Sequence, residues 1–296
     1  MNLHSDVGLV LEGGGFRGMY TAGVLDVFFK EKIFFDYIIG VSAGAAYGVS
    51  YVAGQYERNL KVNKYVSDKR YFSFGNFVKM GSFFNWDFIY KEIPTKLIPF
   101  DYESFSKSPT RMRVGVTNCT TGTAEYKDLD ASSPESFRDL LTATSSLPFI
   151  SKMCKIDDQY YMDGGIADSI PVKQAIKDGK KRLVVVLTRD SEYRKEQMKF
   201  GTLLKLAYRK YPNMTQALLD RADTYNRTLE ELAVLEKEGR AFVIRPSEPI
   251  AVARLENNPD NLERVYHSSI QEMEEVIPKL KDWLNQDNQE CILLPD

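Results

Sequence analysis

Ser42 sits in Gly40-Val41-Ser42-Ala43-Gly44, between an apolar run that reads as a strand (Phe35–Val41) and a small-residue run that reads as a helix (Ala43–Gly54). There the G-x-S-x-G spacing has a mechanical meaning. A sharp strand-to-helix turn pushes the serine side chain clear of the sheet, and Gly40 and Gly44 admit the close backbone approach that the turn needs. The helix start favours negative charge developing at the hydroxyl. The plainer reading is a serine that caps a helix after a glycine turn. A serine nucleophile needs a base, and the histidines are only His4 and His267. His4 lies near the N-terminus and His267 within a helical C-terminal pattern, so neither follows a strand as a triad histidine does. Carboxylates are the remaining choice. Asp163 closes the strand-like Gln159–Met162 and precedes Gly164-Gly165, a pair that permits an abrupt turn. At the end of a strand in an open α/β sheet an aspartate faces the ligand crevice, where it can accept a serine proton as general base. An isolated Asp-Gly-Gly is otherwise an ordinary turn.

A second group of residues could handle an anion. Gly13-Gly14-Gly15-Phe16-Arg17-Gly18 follows the apolar strand Val7–Leu11 and opens a helix over Arg17–Lys30. Backbone N–H groups at such a helix start hold anions. Gly13, Gly15 and Gly18 also match the dinucleotide pattern G-x-G-x-x-G. A dinucleotide site, however, expects an acidic residue at the end of the second strand. That strand ends in Gly-Val-Ser-Ala-Gly, and Asp36 stands at its beginning, so an oxidoreductase is disfavoured. Arg17 adds a positive charge that reaches an oxyanion or phosphate, or else lies on the helix surface or braces the loop.

The elements that must position these residues alternate. Further strands read at Arg111–Asn118, Thr123–Leu129, Arg182–Leu187 and Phe242–Arg245, and helices at Ser136–Ser145, Val172–Asp178, Met214–Glu238 and Asn261–Asn285. Alternation of this kind predicts a three-layer α/β/α fold with a mostly parallel central sheet. Two stretches break the rhythm. An aromatic-rich insertion over about 60–108 lacks sustained periodicity and reads either as a lid or binding region, or as a satellite core. Residues 189–211 are basic, with interspersed Phe200, Leu203, Leu204 and Leu206, and read either as a contact for an anionic lipid surface or as a solvated helix face.

Three motifs in order, Gly13-Gly14-Gly15-Phe16-Arg17-Gly18, Gly40-Val41-Ser42-Ala43-Gly44 and Asp163-Gly164-Gly165, resemble those of the patatin-like phospholipase family. Ala143-Thr144-Ser145-Ser146-Leu147-Pro148 resembles the segment before that family's aspartate motif. The resemblance implies a Ser–Asp dyad of Ser42 and Asp163, an oxyanion hole from Gly14 and Gly15 with Gly13 shaping the turn, and an acyl-enzyme route to ester hydrolysis. It implies a catalytic core over 1–190 and a mostly helical C-terminal extension over 191–296, packed on that core. The substrate it implies is a lipid or simple ester. An acyltransferase or a lipid-sensing module on the same scaffold is the alternative.

Composition bounds the rest. A net charge of −2 gives no reason to expect nucleic acid. Three cysteines without C-x-x-C spacing suit a reducing compartment and neither a disulfide framework nor zinc. No carboxylate cluster calls for calcium, so no metal or cofactor is expected. The N-terminus lacks a signal-peptide pattern and no segment approaches the length of a membrane span, which makes a cytoplasmic protein, with peripheral membrane contact, the expectation. Nothing in the sequence sets an oligomeric state.

Overall fold

The computed structural model describes residues 3–199 and 201–286, so Phe200 and the third cysteine, Cys291, lie outside the described residues. The strands are β1 (Leu3–Leu11), β2 (Phe34–Val41), β3 (Arg111–Asn118), β4 (Ala124–Asp128), β5 (Cys154–Ile156), β6 (Gln159–Asp163), β7 (Arg182–Val186) and β8 (Ala241–Ile244). They form one sheet in the order β5-β6-β3-β2-β1-β7-β8, with β4 on β3. From β3 to β8 the neighbours are parallel. Strands β4 and β6 run antiparallel to β3, and β5 antiparallel to β6. The helices are α1 (Met19–Lys30), α2 (Ala43–Val52), α3 (Arg58–Asn63), α4 (Phe74–Met80), α5 (Tyr102–Lys107), α6 (Pro134–Ser145), α7 (Val172–Lys177), α8 (Gly201–Ala207), α9 (Pro212–Lys237) and α10 (Pro259–Asn285).

The layers follow from the two-residue period of a strand. Leu9, Leu11, Ile38, Val184 and Val186 point to one face and pack with Tyr20 and Val24 of α1, Val49 of α2 and Met273 of α10. Their neighbours Val10, Ile39, Leu183 and Val185 point to the other, against Val172 of α7 and Tyr225 and Leu232 of α9. Strands covered on both faces are apolar at every position, which is why Val7–Leu11 and Arg182–Leu187 read as unbroken runs. The α/β/α sandwich is therefore the observed fold.

Chain beyond residue 190 is built into this sandwich. Strand β8 pairs in parallel register with β7, and Met273, Leu280 and Trp283 of α10 share a core with α1. The two helices meet at Gly23, where an added Cβ would stand 1.9 Å from Ser269 Oγ.

The two irregular stretches resolve differently. The aromatic insertion folds into α3, α4, α5 and a π-type helical stretch (Phe88–Leu97). Its Tyr71, Phe84, Phe88 and Ile93 form a core with Phe16, Met19 and Tyr266. It is a satellite core, and its inner edge also walls a cavity described below. The basic segment does not carry the helix expected across it. Residues 189–199 are irregular and α8 begins at Gly201. Two of its cations, Arg189 and Lys195, line a partly enclosed cavity instead of a solvated helix face.

Candidate active site

Strand β3 is the ruler that brings serine and aspartate together. One edge of β3 is taken by β4. Along the other, β2 arrives in parallel and ends with Val41 opposite Gly115. From there β6 continues on the same edge from the opposite direction, with Asp163 opposite Val116. Two strands thus end head to head on adjacent β3 residues, and the residues at their tips must meet. Asp163, at the end of its strand, reaches the crevice through this antiparallel approach.

At the meeting point Ser42 Oγ donates a 2.8 Å hydrogen bond to Asp163 Oδ2. The other carboxylate oxygen, Oδ1, accepts from Gly165 N–H at 2.7 Å. Asp163 is fully buried and its backbone is fixed by donation from its N–H to the Ser146 carbonyl. Ser42 adopts φ 53° and ψ −124°, a left-handed backbone that costs a non-glycine residue on the order of 1–3 kcal/mol. Thr144 helps hold it there. Its hydroxyl accepts from Ser42 N–H at 2.8 Å and donates to the Gly115 carbonyl at 2.6 Å. Gly44 is required by contact, because a Cβ there would stand 2.5 Å from the Leu11 carbonyl oxygen. Gly40 backs onto Ala45 and Gly164 onto the Gly115 carbonyl in the same way.

The glycine loop lies alongside. Gly13 N–H donates to the Ser169 carbonyl at 3.1 Å and Phe16 N–H to the Arg254 carbonyl at 3.2 Å. Between them, the N–H groups of Gly14 and Gly15 have no partner among the described residues. Gly13 is thus committed to the turn, and a Cβ on it would stand 3.2 Å from Ser42 Cβ. Gly15 takes φ +59°. Gly18 lets α1 start close against Ala43 and Tyr47 of α2.

Cavities open on either side of this loop. One, of about 120 Å³, is mainly apolar and reaches Ser42, with walls from Phe84, Trp86, Ile89, Tyr90 and Phe100 of the insertion. The other, of about 310 Å³, is lined by Gly13, Arg17 and further charged residues. Arg17 therefore lines a partly enclosed cavity. Its Nε is buried without a partner among the described residues, and burial, then Arg189, pulls its guanidinium down to about 10.

Neither histidine takes part. His4 starts β1, at the far end of the strands from Ser42, and His267 faces Glu263 on α10 at 3.6 Å. Among the described residues no three His, Cys, Asp or Glu side chains gather as metal ligands, and no helix is long and apolar enough to cross a membrane. Burial pushes the Cys119 thiol up to about 12, which leaves it an inert core residue.

Sequence reasoning missed Glu12, Ser169, Arg221 and Arg254. Glu12 accepts from Thr188 N–H at 2.6 Å and Tyr225 hydroxyl at 2.8 Å, tying the loop to β7 and α9. Arg221 donates to the Gly165 carbonyl, behind Asp163. No spacing signal marks these residues, because their partners are on average far away along the chain. Thr144 had a signal in the segment quoted above.

A three-layer α/β sandwich with a strained serine at a strand-to-helix elbow, hydrogen-bonded to a buried aspartate, narrows the class of protein, and comparison supplies the family. Residues 9–176 match the family model of patatin-like phospholipase, and residues 211–285 match a domain of unknown function (DUF6363). The chain belongs to the patatin-like phospholipase family. It is 31% identical over 200 residues to the uncharacterized protein YjjU of Escherichia coli (strain K12), a match covering 63% of this chain and 53% of that one. The chain thus matches about half the length of that relative. It is 24% identical over 260 residues to the probable lipid hydrolase 463L of Invertebrate iridescent virus 6, covering 78% of this chain and 89% of that protein. VipD from Legionella pneumophila aligns with a TM-score of 0.47 at 12% identity, over 92% of this chain and 66% of that one.

Proposed function

We propose that the protein is a lipid acyl hydrolase in which Ser42 and Asp163 form the catalytic dyad. The observation that carries this reading is the 2.8 Å Ser42–Asp163 hydrogen bond at the wall of an apolar cavity. Ser42 Oγ bonds to the acyl carbon as its proton passes to Asp163, and the carbonyl electron pair moves onto oxygen. The unpaired N–H groups of Gly14 and Gly15 receive that oxyanion; losing one such donor typically costs about 2.7–4 kcal/mol of barrier. Collapse expels the alcohol, which takes the proton from Asp163. Water then repeats the sequence on the acyl-enzyme and releases the acid. The apolar cavity suits an acyl chain, and Gly13 shapes the loop.

Exposed apolar residues support peripheral contact with a lipid surface. Phe74 and Val78 of α4 are each 69% exposed, beside Phe77 and Met80. Phe72 and Phe84 bridge the base of this tip, and Phe84 also walls the apolar cavity.

Hydrolysis of a p-nitrophenyl ester and of dispersed phospholipid by wild type, Ser42→Ala and Asp163→Asn tests the dyad. Ser42→Ala is expected to lower kcat by about three orders of magnitude or more, and Asp163→Asn by roughly 10²–10⁴. A fluorophosphonate should label wild type and not Ser42→Ala. Undiminished turnover in either variant sinks the assignment.

A further inference from the structure

The second cavity has a composition that ester hydrolysis does not call for. Arg17, Arg189, Lys195, Arg221 and Arg254 all line it, from β1–α1, the irregular segment after β7, α9 and the loop before α10. Its carboxylates are Glu12 and Glu196. Glu12 is already occupied by the Thr188 and Tyr225 donors. Among the described residues none of the five cations makes an ion pair, whereas Arg70, Arg111, Arg113, Arg138, Arg240 and Arg245 each do.

Cations without a carboxylate partner, converging in a partly closed space, repel one another. Burial first, then Arg221 and Arg254 against the opposing pull of Glu12, brings the Lys195 ammonium down to about 7, and burial and Arg254, opposed by Asp163 and Glu12, bring Arg221 down to about 10. Such an arrangement is costly when empty and becomes favourable when an anion occupies it. Four guanidinium forks and an ammonium offer more donors than one carboxylate can accept, so an oxyanion with several acceptor oxygens fits them.

We propose that this cavity binds a phosphate-bearing anion that carries no compensating cation, supplied either by the phosphomonoester head group of a lipid held at Ser42 or by a free phosphorylated ligand. The head-group form rests on the hydrolase reading above; the free-ligand form does not. Position favours a ligand that spans the glycine loop. Gly13 lines this cavity and approaches Ser42, while Arg254 lines both cavities. A lipid with its ester at Ser42 can lay its acyl chain on one side and its charged end on the other. A choline head group is disfavoured by the same walls. The aromatic faces that would cage its ammonium, Tyr193 and Tyr225, are already covered by Arg189 at 4.1 Å and Lys195 at 4.2 Å.

The test has a binding arm and a turnover arm. Calorimetric titration of pyrophosphate into the Ser42→Ala protein should show saturable binding. Adding Arg189→Gln and Lys195→Gln together should weaken that binding about tenfold or more, in a protein whose thermal melt shows it folded. Absent binding, or equal binding in the folded triple variant, overturns the proposal. In micelles, wild type should cleave short-chain phosphatidic acid about tenfold faster than phosphatidylcholine with the same acyl chains. That preference should vanish in the Arg189→Gln, Lys195→Gln protein, with pyrophosphate competing against phosphatidic acid; this outcome assigns the site to the head group. Pyrophosphate binding with no head-group preference assigns it to a free phosphorylated ligand, which also supports the proposal. Failure of wild type to cleave any ester while still binding pyrophosphate counts against the hydrolase reading and leaves the anion site standing.

Discussion

Thr144 shows how one hydroxyl can stabilise a strained nucleophile. It accepts from Ser42 N–H and donates to the Gly115 carbonyl, so it joins the elbow to the strand that sets the position of Asp163. Both partners are in the dry interior, where an unsatisfied group costs about 1–3 kcal/mol. Thr144→Val keeps the shape and removes both bonds. It is expected to destabilise the protein by about 2 kcal/mol or more, read as a lower urea midpoint with an unchanged m-value. It should also lower kcat more than it raises KM, because the serine leaves the position that faces the aspartate. A variant as stable and active as wild type would show that the elbow holds itself.

Among the helices, α1, α3 and α10 are tied through one buried carboxyl. Asp26 of α1 accepts from the Tyr266 hydroxyl of α10 at 2.7 Å and from the N–H of Glu57, just before α3, at 3.3 Å. Burial raises Asp26 to about 6 against the lowering effect of these donors. The native state therefore keeps a proton that the unfolded chain has released at the same pH. The stabilisation from this group is full below the ordinary carboxylate range and is lost as pH rises through about 6. Tyr266→Phe removes the strongest donor to the charged form. Its cost should reach about 1.5–3 kcal/mol near pH 8 and fall at about pH 5, where Asp26 is protonated. Urea melts at both values check this, and an equal loss at each would mean that Asp26 does not change its protonation between them.

Taken as one body, the protein separates its surfaces by chemistry. The apolar tip at Phe74 and Val78 rises from the insertion that walls the apolar cavity, while the cationic cavity opens on the other side of the glycine loop. Burying a Phe or Val side chain gains about 1.5–3 kcal/mol at most. Phe74→Ser with Val78→Ser is therefore expected to slow turnover of lipid in vesicles by about tenfold, measured against a soluble short-chain ester that needs no docking. Equal slowing on both substrates would place the effect in folding and not at a lipid surface.

The local parts were legible in the chain because their signals are local. The elbow glycines, the glycine loop and the Asp-Gly-Gly turn are each fixed by backbone sterics within a few residues, and strands covered on both faces announce themselves as apolar runs. Alternation of strand and helix was enough to give the layered sandwich. The meeting of Ser42 and Asp163 was not written in either motif. It depends on β6 arriving antiparallel on the edge of β3 that β2 vacates, which brings together two residues 121 positions apart in sequence. The inward turn of Arg189 and Lys195 was equally invisible. In sequence they are charges in a basic run, and only the packing of α9 and the loop before α10 encloses them. Local sterics set what each segment can be; long-range burial decided which of their side chains face one another.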